Sequence, residues 1–199
     1  MNKPILGLIF ASALTIGGIG MASAGTPKEA PLLPGCTGGS QPSACILPLK
    51  NGDFRAEDVS FWNRVGLPSR GEDAEGNTYA TLYTGSGMTQ AVYAHTGLDP
   101  ADAVYTLRFR VRAEHAQTQV RATLAMSTDQ HTNRVELGQV TTMAVTGDWR
   151  VVELSVQGRP YAAPAHVLVE INNEGGTHTT VQVDDVVLVQ SADTDLVGR

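Results

Sequence analysis

Residues 103–113 alternate strictly between two chemistries, and that alternation limits the fold more than any other feature of the chain. Tyr105, Leu107, Phe109 and Val111 fall on one side of an extended backbone, and Thr106, Arg108, Arg110 and Arg112 on the other. A strand with one buried face accommodates this period; a helix would spread the same charges around its circumference. Residues 119–126 repeat the pattern, with Val120, Ala122, Leu124 and Met126 inward and Gln119, Arg121 and Thr123 outward. Residues 150–156 repeat it through Val152, Leu154 and Val156, with Arg150 and Glu153 among the polar positions. Valine-rich runs at 165–171 and 181–189 favour strands over helices. Weaker strands are expected at 46–49, 62–65, 78–83, 88–93 and 135–140, each bounded by Gly, Asp, Asn or Pro. No segment sustains a 3.6-residue period, and Asp99-Pro100-Ala101-Asp102 reads as a turn. The expected fold is all-β: about nine or ten strands in a two-sheet antiparallel sandwich, a jelly roll. It spans residues 46–190, and a polar tail, 191–199, follows.

The first 24 residues read as a signal peptide. Lys3 supplies the positive end, the stretch from Ile5 to Met21 is uncharged, and Ala22-Ser23-Ala24 fits a small-x-small cleavage site. A membrane anchor is the competing reading, but the run is short and diluted by Gly17, Gly18 and Gly20. A secreted or periplasmic protein with no membrane span after cleavage is therefore expected. Residues 25–45 form a Pro/Gly/Ser-rich leader that contains the only two cysteines, Cys36 and Cys45. With no CxxC and no histidine nearby, an oxidising compartment favours a disulfide between them over a metal or redox pair. Closing so short a loop is worth about 2–3 kcal/mol in the chain-entropy account. A formal net charge of −6 gives no general attraction for nucleic acid.

Six short motifs follow one another in a familiar order. They are Asn51-Gly52-Asp53-Phe54 with Trp62, the run 76–82 (Gly-Asn-Thr-Tyr-Ala-Thr-Leu), Gln90, the run 105–109 (Tyr-Thr-Leu-Arg-Phe), Gly147-Asp148-Trp149-Arg150, and Val183-Asp184-Asp185-Val186. Together they resemble carbohydrate-binding modules of families 4 and 9 and their galactose-binding-like relatives. The resemblance implies a galactose-binding-like jelly roll and a glycan or polysaccharide ligand. It also implies a structural calcium site, for which Asp53, Glu75, Asp184 and Asp185 are the candidate donors. In one respect the chain departs: the residue after Phe54, often Glu in such modules, is Arg55, and a guanidinium cannot ligate a cation. On the alternative reading Asp53 makes a turn, and Asp184 and Asp185 accept hydrogen bonds from the backbone or from arginine.

Sugar recognition calls for exposed aromatic faces flanked by polar side chains. Trp62 and Trp149 are expected in the core, and Tyr105 and Phe109 face inward, which leaves Tyr83, Tyr93 and Tyr161 as candidate platforms. The row Arg108, Arg110, Arg112, with Arg121 on the next strand, is a candidate for acidic sugars or other anions. The alternative is a solvated strand face, charged against edge pairing. Five scattered histidines lack zinc-site spacing, and Gly85-Ser86-Gly87 lacks the full nucleophile elbow and reads as a turn. The expected protein is an exported, non-catalytic carbohydrate binder of the cell envelope or exterior. Its alternatives are an envelope interaction or adhesion protein with a protein partner and, third, a small secreted hydrolase.

Overall fold

Eleven strands, and no helix among the described residues, build the domain. The computed structural model describes residues 33, 35–36, 44–95, 102–115, 117–128, 133–160 and 165–192. In chain order the strands are β1 Ala44–Ile46, β2 Asn63–Val65, β3 Ser69–Glu72, β4 Thr78–Tyr83, β5 Gly87–Tyr93 and β6 Val104–Ala113. They continue as β7 Thr118–Ser127, β8 Val135–Ala144, β9 Arg150–Gln157, β10 His166–Asn173 and β11 Thr180–Ser191. Sheet I has the order β3-β4-β11-β6-β9, with β1 also paired to β11; sheet II has the order β2-β5-β10-β7-β8. Every strand pairing is antiparallel. The all-β two-sheet sandwich expected from the alternation is the fold observed.

The core lies between the sheets and is filled by the inward sets read from the sequence. Tyr105, Leu107, Phe109 and Val111 from β6 meet Val120, Ala122, Leu124 and Met126 from β7, all at most 1% exposed. Trp62 is also buried there, as expected, and tilts against Phe54 at 6.1 Å between ring centroids. β3 lay outside the expected set. Ser69-Arg70-Gly71-Glu72 carries no apolar alternation, and its pairing to β4 alone makes it an edge strand with nothing to bury. Gly71 lets the Tyr79 ring lie against its backbone, where a Cβ would collide.

The first resembled motif is a structural knot. Asn51 sits at φ +53, accepts from the Ala56 amide at 3.0 Å and donates to the Asp58 carbonyl at 3.0 Å. Its carbonyl receives the Trp62 indole N–H at 3.2 Å. Gly52 presses on the Val186 carbonyl so closely that any side chain would clash. Gln90, buried on β5, pins the same region by donating to the carbonyls of Lys50 and Phe61 and accepting from the Lys50 amide. The Cys36–Cys45 disulfide forms, and the Cys36 amide bonds the Ile46 carbonyl at 2.9 Å, tying the chain before the domain to β1.

The alternation on β6 makes a direct prediction. Leu107→Ala should lose about 2–5 kcal/mol of unfolding free energy, while its neighbour Arg108→Ala should stay within about 0.5 kcal/mol of wild type. Urea denaturation of the two variants measures the contrast; equal losses would contradict the assigned faces.

Candidate functional site

The sequence-predicted residues separate onto the two outer faces of the sandwich. β4 and β5 are joined by a tight turn, Gly85 at φ +71, yet lie in different sheets. Tyr83 therefore points outward from sheet I and Tyr93 from sheet II. Tyr83, 47% exposed, lines a cleft of about 360 Å³ with Thr84, His178, Thr179 and Thr180 at one end of the sandwich. Tyr161 lies outside the described residues. The arginines 108, 110 and 112 line the outer face of sheet I on β6, while Arg121 lies on sheet II and pairs with Glu174 at 2.6 Å. Because β6 is held between β11 and β9, its arginines guard no edge, contrary to the alternative considered from the sequence.

Two of the three arginines on β6 are engaged within the protein. Arg112 stacks over Trp149, its guanidinium carbon 4.6 Å from the ring centroid, and over Tyr79 at 6.0 Å; its Nε donates to Gln182 at 2.8 Å. Arg110 lies 5.2 Å from the same indole, hydrogen-bonds Asp184 through Nη2 at 2.5 Å, and faces the Asp185 carboxylate as an ion pair, Nε to oxygen 2.9 Å, without hydrogen-bond geometry. Arg108 is exposed. Trp149 is half-buried on this outer face, a correction to the core position expected for it. It precedes β9 in a loop, where the two-residue period no longer fixes the direction of a side chain.

The four candidate calcium donors do converge. Asp53, Glu75, Asp184 and Asp185 line one polar cleft of about 280 Å³ with Arg55, Gly76, Asn77 and Thr78. Three of the four, Asp53, Asp184 and Asp185, are however already engaged with arginine. Asp184 Oδ2 accepts from Arg110 and, at 3.2 Å, from Asn77; its Oδ1 accepts the Asp185 amide at 2.7 Å. The exposed Asp53 carboxylate faces Arg55 Nε at 3.3 Å. Calcium needs six to eight oxygens, and among the described residues no three His, Cys, Asp or Glu side chains are grouped to hold a metal. The set as folded does not fit the ion. It matches the alternative read from the sequence, with Asp184 and Asp185 accepting from arginine and backbone.

The outer face of sheet II has a different character. Tyr93 is 58% exposed and stacks on His166, its cross-strand partner, with ring centroids 4.1 Å apart and planes 37° apart. In the next cross-strand rank Ala125 and Leu168 are buried although they lie outside the core cluster. The strand register then aligns Asn63, Thr89, Glu170, Thr123 and Gln139 across all five strands. At its centre Glu170 receives a two-pronged contact from Arg134, which reaches in from the start of β8; this hydrogen bond raises the Arg134 pKa. Sequence reasoning had missed this row, because its members meet only once the strand order is known.

No protein-family model matches the chain, and comparison with curated proteins finds no match. Solved structures do match in fold. A family 61 carbohydrate-binding module in complex with β-1,4-galactotriose has a TM-score of 0.50 at 20% identity, covering 71% of this chain and 97% of that one. A family 16 carbohydrate-binding module gives 0.50 at 16%, covering 70% and 97%. A Stig cyclase from Fischerella sp. TAU, in complex with an indole compound, gives 0.56 at 16%, covering 74% and 98%. The chain has the jelly-roll fold of carbohydrate-binding modules, a fold that also carries a cyclase.

The buried acid of the cleft sets a pH signature. Burial, with the neighbouring Asp185 charge, pushes the Asp184 carboxyl above its ordinary value, while the Asp185 amide, Arg110 and Asn77 pull it down. A raised folded-state pKa means that the native protein holds this proton longer than the unfolded chain does. Stability from this group therefore falls as pH rises from about 4 through the raised value. Relative to Asp184→Asn, wild type should lose stability over that window. Urea midpoints at a series of pH values check this, and a constant difference would refute the assignment.

Proposed function

We propose that the chain is an exported, non-catalytic glycan-binding domain, akin to the modules of families 4 and 9, that binds along the outer face of sheet II. The observation carrying this reading is the exposed Tyr93 ring braced on His166, on the same face as a strand-crossing polar row four residues further back along β5. An aromatic face takes the apolar side of a sugar ring, and the carboxylate, guanidinium, amide and hydroxyl groups beside it fix hydroxyls. Backing by His166 and the Arg134–Glu170 pair orders these groups before binding, which lowers the entropic cost of recognition. The carbohydrate-binding modules that share the fold, one of them bound to galactotriose, add support. The signal-like first 24 residues support a periplasmic or extracellular location, where such ligands occur.

A protein partner is the second reading, and one edge favours it. Phe61, Val65 and Leu67, around edge strand β2, are 50%, 54% and 81% exposed. A glycan array followed by calorimetry separates the two. The glycan reading predicts saturable binding of at least one oligosaccharide, weakened about tenfold or more by Tyr93→Ala and little changed by Trp149→Ala. Full affinity in Tyr93→Ala, or an array with no binding, would overturn it.

A further inference from the structure

The cleft that does not fit calcium already contains positive charge. We propose that the Arg110 guanidinium takes the place of the divalent cation that the resemblance implies, so that the join of sheet I is held without metal and is closed to calcium. Arg110 and Asp184 are direct cross-strand partners, so the sheet itself sets their distance. Immediately after Asp184 the register of β11 slips, and Asp185 sits at φ +49. This irregularity brings two successive carboxylates onto one guanidinium, where an unbroken strand would send them to opposite faces. Arg110 is held in turn by the Trp149 indole and by the Asn77 carboxamide, which accepts from Arg110 at 3.4 Å and donates to Asp184.

The neighbourhood is built the same way. Arg55 faces Asp53 on the rim of the cleft, so two arginines stand among its four acidic residues. A calcium ion entering here would have to displace Arg110 from Asp184, whose side chain is 2% exposed, and would sit near the Arg55 charge on the rim. Metal binding would compete with Arg110 and Asn77 for the same Asp184 oxygen. The domain therefore holds its first motif against its closing strand whatever the calcium concentration outside the cell.

Thermal unfolding in excess calcium chloride and in excess EGTA tests this on the full chain. A calcium site filled to about a hundred times its dissociation constant would raise the melting temperature of a domain this size by roughly 5–10 °C. The expected result is the same melting temperature in both buffers for wild type. Arg110→Met should melt several degrees lower in EGTA, and Arg110→Lys should fall between the two, keeping the charge but losing the two-pronged geometry. A rise of wild type in calcium that Asp184→Asn abolishes would overturn the proposal. So would an Arg110→Met protein that melts with wild type in EGTA. Should Arg110→Met fail to fold, the wild-type comparison still decides.

Discussion

The pairing of β11 is the constraint on which the rest of the sandwich rests. One edge of this strand runs against β6 for nearly its whole length. The other edge is shared: Thr180–Val183 pairs with β4, and Val189–Ser191 pairs with β1. The register slips after Asp184, and across the gap the Val186 amide bonds the Gly52 carbonyl at 2.9 Å. The first motif and the last strand thus meet at this irregular point, between the stretches of β11 that pair with β4 and with β1. An irregular backbone there needs its buried carboxylate neutralised, since an uncompensated charge in a dry site is strongly unfavourable. Arg110 meets that need from the adjacent strand.

This arrangement divides work between the two outer faces. On sheet I the side chains best suited to recognition bind one another: Arg112 lies over Trp149 and Tyr79, and Arg110 grips Asp184 and Asp185. What looked in the sequence like a basic row for anions is largely a set of internal contacts. Sheet II keeps only part of its outer face open: Asn63, Tyr93 and Gln139 are exposed, while Thr123, Ala125, His166 and Leu168 are buried. There Tyr93 stands exposed over His166, and polar groups from five strands line up two ranks away on the same face. The proposed binding face is thus the one not engaged in closing the fold.

The fold was legible wherever alternation is strong. β6 and β7 announce their inward sets, and Asn51, Gly52, Phe54, Trp62 and Gln90 act as the structural elements their motifs suggest. β3 was illegible because an edge strand of Ser, Arg, Gly and Glu buries no stripe. The site was harder to read for a different reason. Tyr83 and Tyr93 look equivalent along the chain, but the turn between β4 and β5 crosses from one sheet to the other and sends them to opposite faces. Arg110 and Asp184 are 74 positions apart, and their meeting depends on a register that no local pattern encodes. The donors proposed for calcium were rightly brought to one place by the resemblance. Their occupant was decided by an arginine on a different strand.

The division between a self-engaged face and a binding face is tested most directly by mapping backbone amide shifts during titration with an oligosaccharide the protein binds. The account predicts that perturbations cluster on sheet II, at Thr89, Tyr93, Thr123, Gln139, His166 and Glu170. Perturbations centred on Trp149 and Arg112, or on the Tyr83–His178 cleft, would contradict it.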